Sequence, residues 1–216
     1  MESGSKISGA ASKIRLLSLR PPLSEVDVRA LRVGQPVTLD GLIYTFRDAQ
    51  HIRAMEYLRR GESLPVDLAG QVIYHAGPAF RKTNQSYQLY TAGPTTSARN
   101  NRYAPELLRR LRFRGMIGKG GMSVQTLEAM QEVGCVYLLV PSISAVLTTK
   151  VKDVKEAYWE DLLGEAIFGI EVEAFGPLVV AMDAHGNSLF EDVTRAAREK
   201  LQRSTARDEL DSGAAT

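Results

Sequence analysis

Two short, uninterrupted apolar runs constrain the fold of this chain more than any other feature. Residues 135–140 (CVYLLV) and 178–182 (LVVAM) contain no charged side chain. Runs of this length without alternation are typical of strands covered on both faces, as in sheets flanked by helices. Helical apolar spacing occurs elsewhere in the chain. The sequence therefore predicts an α/β domain.

Weaker patterns place the remaining elements. Further strands are expected at 37–46, bent at Gly41, at 72–74 and at 113–117, with a hairpin over 79–91 that turns at 83–85. Helices are expected from an N-cap at Asp48 to Gly61, at 107–111, after a cap at Ser123, and at 193–201. Mixed strands and helices agree with the α/β prediction.

The two ends of the chain differ in composition from its middle. Residues 1–23 are rich in Ser, Gly and Lys and end in Arg-Pro-Pro, which predicts a flexible N-terminal arm. Residues 204–216 are small and polar, without an apolar stripe, and predict a disordered tail. A single catalytic domain is expected over 24–203.

Composition argues against several classes of function. The net charge of the 216 residues is only +2, so no overall field favours nucleic acid or a membrane surface. No apolar run approaches the roughly 20 residues that a membrane span requires. The single cysteine, Cys135, excludes an internal disulfide and fits a reducing compartment, so a cytoplasmic location is expected.

Two glycine-bearing turns carry the strongest functional signal. They are residues 93–99 (GPTTSAR) and 117–122 (IGKGGM). Such turns expose backbone N–H groups beside cationic side chains, a combination that binds anions such as carboxylates. The candidate residues are Thr95, Thr96, Arg99 and Lys119. The structural alternative is that the hydroxyls merely cap a helix near Asn101.

A second group of candidates follows the strand predicted at 37–46. Arg47 stands at its end, and His51 lies four residues later on the expected helix. The functional interpretation puts both at the mouth of a pocket, where His51 could carry protons near neutral pH. The structural interpretation is a capped helix with a solvated basic face.

Metal-binding and RNA-binding patterns are weak. Cys135 has apolar neighbours typical of a core residue, and His75 and His185 lack partners at metal-ligand spacing. No metal site is expected in this chain. Residues 118–121 (GKGG) match the Gly-x-x-Gly loop of a KH RNA-binding module, which is the alternative from another class.

Seven motifs, in order, resemble one known family. The chain is similar to the β subunit, or C-terminal domain, of iron–sulfur-dependent hydro-lyases, meaning L-tartrate dehydratase and class I fumarase. The resemblance covers residues from about 33 to 190. The motifs are residues 44–51 (YTFRDAQH), 64–70 (LPVDLAG), 75–78 (HAGP), 93–99, 117–122, 175–178 (FGPL) and 183–187 (DAHGN).

The resemblance implies a swivelling β/β/α domain that acts only with a partner. That partner is an α chain whose three cysteines hold a [4Fe-4S] cluster, in a hetero-oligomer that hydrates or dehydrates a C4 hydroxy-dicarboxylate. The reaction would convert tartrate to oxaloacetate, or interconvert malate and fumarate. By resemblance, Thr95 and His51 are catalytic, and Arg47, Thr96, Arg99 and Lys119 bind the substrate.

Departures from the family pattern leave a further alternative. Residues 140–145 (VPSISA) replace a stretch that is often rich in glycine and alanine, and Asn100 replaces a common methionine. A homologue that has lost catalysis and only binds a dicarboxylate or a partner would also fit these changes.

Overall fold

A computed structural model of the chain describes residues 16–83, 87–141 and 144–213, and the side chains of these residues except 144 and 205–213. The strands are β1 (Leu17–Leu19), β2 (Pro36–Thr45), β3 (Val72–Tyr74), β4 (Ala79–Lys82), β5 (Tyr87–Thr91), β6 (Gly115–Gly118), β7 (Val136–Leu139), β8 (Val151–Tyr158) and β9 (Ile167–Met182). The α-helices are α1 (Glu25–Ala30), α2 (Asp48–Arg59), α3 (Ala104–Leu111), α4 (Val124–Val133), α5 (Ser144–Thr148) and α6 (Leu189–Gly213). Two 3-10 helices span Ser97–Asn100 and Glu160–Glu165.

Seven of these strands form one mixed sheet. Its order is β1-β2-β3-β6-β7-β9-β8, and β9 also pairs with β2. The extra pairing closes β2, β3, β6, β7 and β9 into a ring. Strands β1, β2, β3, β6 and β7 run parallel, whereas β9 is antiparallel to each of its neighbours. The expected α/β fold is confirmed.

The core lies on both faces of the parallel strands. In β7, Val136 and Leu138 belong to one buried cluster, and Tyr137 belongs to the other. The second cluster also contains buried residues of α2, α3 and α4, so these helices cover that face. A strand that is buried on both faces needs an unbroken apolar sequence. The run at 135–140 therefore signals β7 correctly.

Helix boundaries follow the expected capping chemistry with one exception. The Ser123 hydroxyl accepts a hydrogen bond from the Thr126 backbone N–H, and Gly134 ends α4 with a φ of 74°. The prediction that Asp48 caps α2 is wrong. Arg47 takes the N-cap position, and its backbone N–H donates to the side chain of Gln50, 3.0 Å away. Asp48 thereby becomes the first helical residue, with its carboxylate at the surface.

Other boundaries differ from the sequence predictions. The strand expected at 178–182 is the last third of the 16-residue β9. The strand expected at 113–117 begins at Gly115, and the helix expected at 193–201 begins at Leu189 and extends to Gly213. The hairpin forms as β4 and β5, but 84 and 85 of its predicted turn lie outside the described residues.

The predicted domain boundaries at 23/24 and 203/204 both lie near ordered elements. β1 pairs with β2 within the segment predicted as an arm, and the second boundary falls inside α6. The domain division itself stays a prediction. Among the helices that the structure describes, none combines the length and the apolar character that crossing a bilayer requires.

Candidate active site

The candidate residues gather at one edge of the sheet. Strands β2, β3 and β6 are parallel neighbours, so their carboxyl ends meet there. Arg47 follows β2, His75 follows β3 and Lys119 follows β6. The turn at 93–99 joins them, because the Ser97 backbone N–H donates to the Lys119 carbonyl oxygen over 3.1 Å. The structure thus brings the two predicted anion-binding turns together.

Asp48 links two of the predicted substrate-binding arginines. Its Oδ2 accepts from Arg47 Nε at 3.0 Å and from Arg99 Nη2 at 2.9 Å. Glu165 Oε1 lies a further 3.4 Å from Arg47 Nη2. The guanidinium of Arg47 also packs on Gly77, where an added Cβ would lie 2.5 Å from Nη1. Arg47 is therefore held in a fixed position.

Lys119 is the least constrained cation of the site. Its side chain is exposed, and it forms no ion pair with any residue that the structure describes. The next residue, Gly120, has a φ of 72°, which favours glycine and keeps the turn tight. We refer to Arg47, Arg99 and Lys119 together as the cationic rim. Three positive charges at one edge of the sheet suit an anion that carries more than one carboxylate.

The two predicted threonines differ in their hydrogen bonding. The Thr95 backbone N–H and hydroxyl both donate to the His75 carbonyl oxygen, at 2.6 and 2.9 Å. Thr96 is exposed, and as the N-cap of the first 3-10 helix it makes no capping hydrogen bond with its side chain. The capping explanation therefore fails for Thr96. The Thr96 hydroxyl has no hydrogen-bond partner among the residues that the structure describes, whereas that of Thr95 is already bonded.

His51 lies beneath the site rather than at its mouth, so that prediction is wrong. Its side chain is 0% exposed, and Nδ1 lies 2.7 Å from the Arg47 carbonyl oxygen. Desolvation lowers the pKa of His51 to about 4, despite opposing contributions from that hydrogen bond and from Asp48. A neutral, enclosed ring can act on a bound substrate only through another group. Its catalytic role stays a prediction.

Three residues that the sequence analysis did not select complete this buried region. His75 Nδ1 lies 2.8 Å from Ser97 Oγ, which lies 2.9 Å from the Tyr137 hydroxyl. An added Cβ at Gly118 would overlap Ser97 Oγ, so only glycine fits there. Burial lowers the pKa of His75 well below its usual value. We refer to His51, His75, Ser97 and Tyr137 as the buried polar layer.

The residues present do not fit an iron–sulfur cluster. Cys135 is fully buried, and desolvation raises the pKa of its thiol, which opposes the thiolate that iron requires. Within the described parts of the chain, no group of three or more His, Cys, Asp or Glu residues could hold a metal ion.

Two cavities are lined by residues other than those of the cationic rim. One, of about 390 Å³, is lined by residues at the C-terminal ends of α2 and α3 and by the loop at 62–69. The other, of about 590 Å³, lies between Met122, Val124 and the start of α6.

Comparisons with known proteins give one consistent result. A family model described as "Fumarase C-terminus" matches residues 3–193. A Methanocaldococcus jannaschii protein provisionally named L(+)-tartrate dehydratase subunit beta is 44% identical over 182 residues, which cover 83% of this chain and 93% of the relative. The L(+)-tartrate dehydratase subunit beta of Escherichia coli K12 is 34% identical over 184 residues, covering 84% and 90%. A Geobacillus stearothermophilus protein provisionally named class I fumarate hydratase is 38% identical over 200 residues, 90% of this chain but 37% of the relative.

Proposed function

The chain belongs to the fumarase C-terminus family, and from this membership we propose that it is the β subunit of a two-chain hydro-lyase. The enzyme adds or removes water reversibly on a C4 hydroxy-dicarboxylate, converting tartrate to oxaloacetate or interconverting malate and fumarate. The names of the relatives support this reaction class. The observation that carries the proposal for this chain is the convergence of Arg47, Arg99 and Lys119 on one edge of the sheet.

The cationic rim suits the charge of such a substrate. A C4 dicarboxylate carries two negative charges, and the rim presents three positive ones, of which Arg47 pairs with Asp48 and Glu165, Arg99 pairs with Asp48, and Lys119 pairs with no described residue. An arginine fork binds a carboxylate through two parallel hydrogen bonds, whereas Lys119 acts as a point charge. Asp48 orients Arg47 and Arg99 before the substrate arrives. This preorganisation lowers the cost of ordering two flexible side chains on binding.

The same charges favour the chemical step. Removal of the proton beside a carboxylate builds negative charge on that carboxylate in the transition state. Fixed cations that contact it stabilise the transition state more than the ground state. Thr96 contributes an unbonded hydroxyl at this edge, and Thr95 sets the turn through its bonds to His75. A threonine hydroxyl is a weak base and needs an activating group, which the partner can supply.

We assign the cluster to a partner rather than to this chain. An α subunit with three cysteine ligands would hold the [4Fe-4S] group against the open edge, in a hetero-oligomer. The buried position of Cys135 supports that assignment. The single cysteine in 216 residues also supports a cytoplasmic, reducing location.

The two alternatives have less support. The RNA-binding hypothesis requires the backbone of the 118–121 loop to be accessible to a nucleic acid. The first residue of that loop, Gly118, is buried against Ser97 and Tyr137. The binding-only reading rests on residues 140–145, of which 142 and 143 lie outside the described residues. The structure brings Arg47, Arg99 and the loop of Lys119 to one edge of the sheet, which favours a working enzyme over a decayed one.

Reconstitution of the two-chain complex tests the proposal. The chain would be co-expressed with a cysteine-bearing α chain, purified without oxygen and assayed with malate, fumarate and both tartrate stereoisomers. We expect turnover of one of these acids. Arg99→Ala should lower kcat/KM at least about tenfold, because it removes a contact to the charged transition state. Arg102→Ala, an exposed arginine three residues later, should leave it unchanged.

Two results would contradict the proposal. Binding of a dicarboxylate without turnover, measured by calorimetry on the complex that carries its iron–sulfur cluster, would favour the binding-only alternative. Failure to associate with any cluster-bearing chain, together with no dicarboxylate binding, would overturn the assignment to this reaction.

A further inference from the structure

The buried polar layer lies directly behind the cationic rim. His51, His75, Ser97 and Tyr137 are each 0% exposed. The two imidazole rings lie side by side, with centroids 5.5 Å apart. The Nε2 atoms of both rings are buried and make no hydrogen bond to a described residue. Because unpartnered buried nitrogens are costly, this pair calls for an explanation.

The protonation of His51 follows from its one hydrogen bond. Its Nδ1 lies 2.7 Å from the carbonyl oxygen of Arg47. A carbonyl oxygen only accepts, so Nδ1 must carry the proton. A neutral ring has only one N–H. Nε2 of His51 therefore presents a lone pair.

The protonation of His75 follows from a chain of hydroxyls. Among the described residues, the Tyr137 hydroxyl bonds only to Ser97 Oγ, 2.9 Å away, so only donation to that oxygen gives its buried proton an acceptor. The Ser97 hydroxyl is then left to donate to His75 Nδ1 at 2.8 Å. His75 Nδ1 is an acceptor, and in a neutral ring Nε2 carries the proton.

We propose that His51 and His75 hold opposite tautomers, and that the buried polar layer is a positioning network for the catalytic edge. The donor on His75 and the lone pair on His51 are complementary, on rings whose centroids lie 5.5 Å apart. The network then runs in one direction, from the Tyr137 hydroxyl through Ser97, His75 and His51 to the carbonyl of Arg47. This inference rests on the proposed function and changes the role of His51.

Three members of the network are bonded to the loops that carry the candidate site residues. His51 bonds the backbone of Arg47. The His75 carbonyl accepts both hydrogen bonds from Thr95, and the Ser97 backbone N–H bonds the carbonyl of Lys119. The layer thus fixes the relative positions of all three candidate loops. A small misplacement of such loops costs rate even when no contacting group is lost.

The neutrality of the two rings also supports positioning over proton transfer. Desolvation lowers the pKa of both histidines, and the neighbouring His51 lowers that of His75 further. Both rings therefore stay uncharged at neutral pH. Neither is open to solvent.

Nitrogen NMR of the full chain tests the tautomers without any activity. The sequence has three histidines, so imidazole-labelled protein gives a simple spectrum, with the exposed His185 as the reference. At neutral pH we expect a protonated Nδ1 in His51 and a protonated Nε2 in His75. Ser97→Ala should release His75 into a mixture of tautomers and leave His51 unchanged. Two rings with the same tautomer, or a charged His51, would overturn the proposal.

Amide replacements in the reconstituted complex test the positioning role. The substitution His51→Asn keeps a donor to the Arg47 carbonyl, but the new amide cannot carry a proton as imidazole does. We expect His51→Asn to retain most of kcat and His51→Ala to lose about tenfold, roughly the effect of one misplaced hydrogen-bonded group. The pH profile of kcat should be the same in wild type and His51→Asn. Equal, large losses in both variants would instead make His51 a proton carrier.

A matched serine pair extends the test. Ser97→Ala should lower kcat/KM about tenfold, since it removes the hydroxyl that links His75 to Tyr137 behind the two anion-binding turns. Ser63→Ala removes an exposed hydroxyl far from the edge and should have no effect. If the NMR result holds but no complex shows activity, the proposed function fails and the tautomer assignment stands. If the complex is active but His51 and His75 have the same tautomer, the proposed network is wrong and the proposed function stands.

Discussion

The cationic rim and the buried polar layer belong to the same loops but behave in opposite ways. Rim side chains are charged and partly open to solvent: those of Arg47 and Arg99 are 22% and 49% exposed. Members of the layer are fully buried, and its two histidines are held neutral. Charge near water costs little and can attract a dicarboxylate, whereas charge in the interior would be expensive. The comparison suggests that the rim binds and the layer positions.

Acid should lower the free energy of unfolding through the histidines of the buried polar layer, and this is the largest effect that we expect. The unfolded chain binds a proton at His51 near its ordinary pKa of 6.5, but the folded chain resists it until about pH 4. The free energy of unfolding contributed by this difference is therefore complete above about pH 6.5 and declines below it, by about 2 kcal/mol at about pH 5. His75 should add a loss in the same direction. Urea denaturation at about pH 7.5 and about pH 5 measures the sum.

Two variants isolate the histidine contribution from that of carboxylates. His51→Asn should reduce the stability difference between the two pH values, and His185→Asn should not. If His51→Asn leaves the pH dependence unchanged, the imidazole is accessible to protons in the folded state, and the contrast between rim and layer disappears.

Crowding of the layer should give the next largest effect. An added methyl at Gly118 would overlap Ser97 Oγ and lie 3.0 Å from the Tyr137 hydroxyl and 3.2 Å from His75 Nδ1. We expect Gly118→Ala to lower the free energy of unfolding by about 2 kcal/mol, since overpacking a tight interior displaces its neighbours. Gly164→Ala is the control, because its Cβ would meet nothing closer than 3.6 Å. Equal stability of the two variants would show that the layer is loosely packed.

Only some residues of the candidate site and of the buried polar layer could be selected from the sequence. Arg99, Thr96 and Lys119 were selected because charge and hydroxyls cluster on glycine-bearing turns, and Arg47 because it ends a predicted strand; both signals are local in the sequence. His75, Ser97 and Tyr137 were not, because their bonds join strands β3 and β7 with the turn at 93–99. His75 did carry one signal. It directly follows a strand, as Lys119 does.

The fold shows the same division between local and distant information. The apolar runs predicted β7 and the end of β9 because burial on both faces leaves a mark in the sequence. The sequence analysis missed the first part of β9, because Gly176 and Pro177 are typical of the end of a strand. In the structure, β9 continues through these two residues and pairs with β2. β8 was missed because it is only partly buried and four of its eight residues are charged. Its strand conformation comes from pairing with β9.

Removing the free cation of the rim should affect catalysis without affecting stability. Lys119 is exposed and unpaired within the described structure, so Lys119→Ala should leave the free energy of unfolding within about 0.5 kcal/mol. In the reconstituted complex we expect kcat/KM to fall at least about tenfold, or about 1.4 kcal/mol, through lost stabilisation of the charged transition state. Lys152→Ala, a lysine paired with Glu173, is the control. Unchanged kinetics would remove Lys119 from the site.

The smallest effect tests whether every arginine near the edge belongs to the rim. Arg53 lies on α2 and pairs with Asp161 through two hydrogen bonds of 2.8 and 2.6 Å, but the Asp161 side chain is 65% exposed. Ion pairs in such contact with water contribute little, so Arg53→Ala should cost no more than about 1 kcal/mol of unfolding free energy. It should not alter kcat/KM. The pair anchors the 3-10 helix that ends at Glu165, and Glu165 in turn contacts Arg47. A rise in KM with unchanged kcat would therefore mean that this 3-10 helix, and not Asp48 alone, orients Arg47. The helix would then have to be counted as part of the cationic rim.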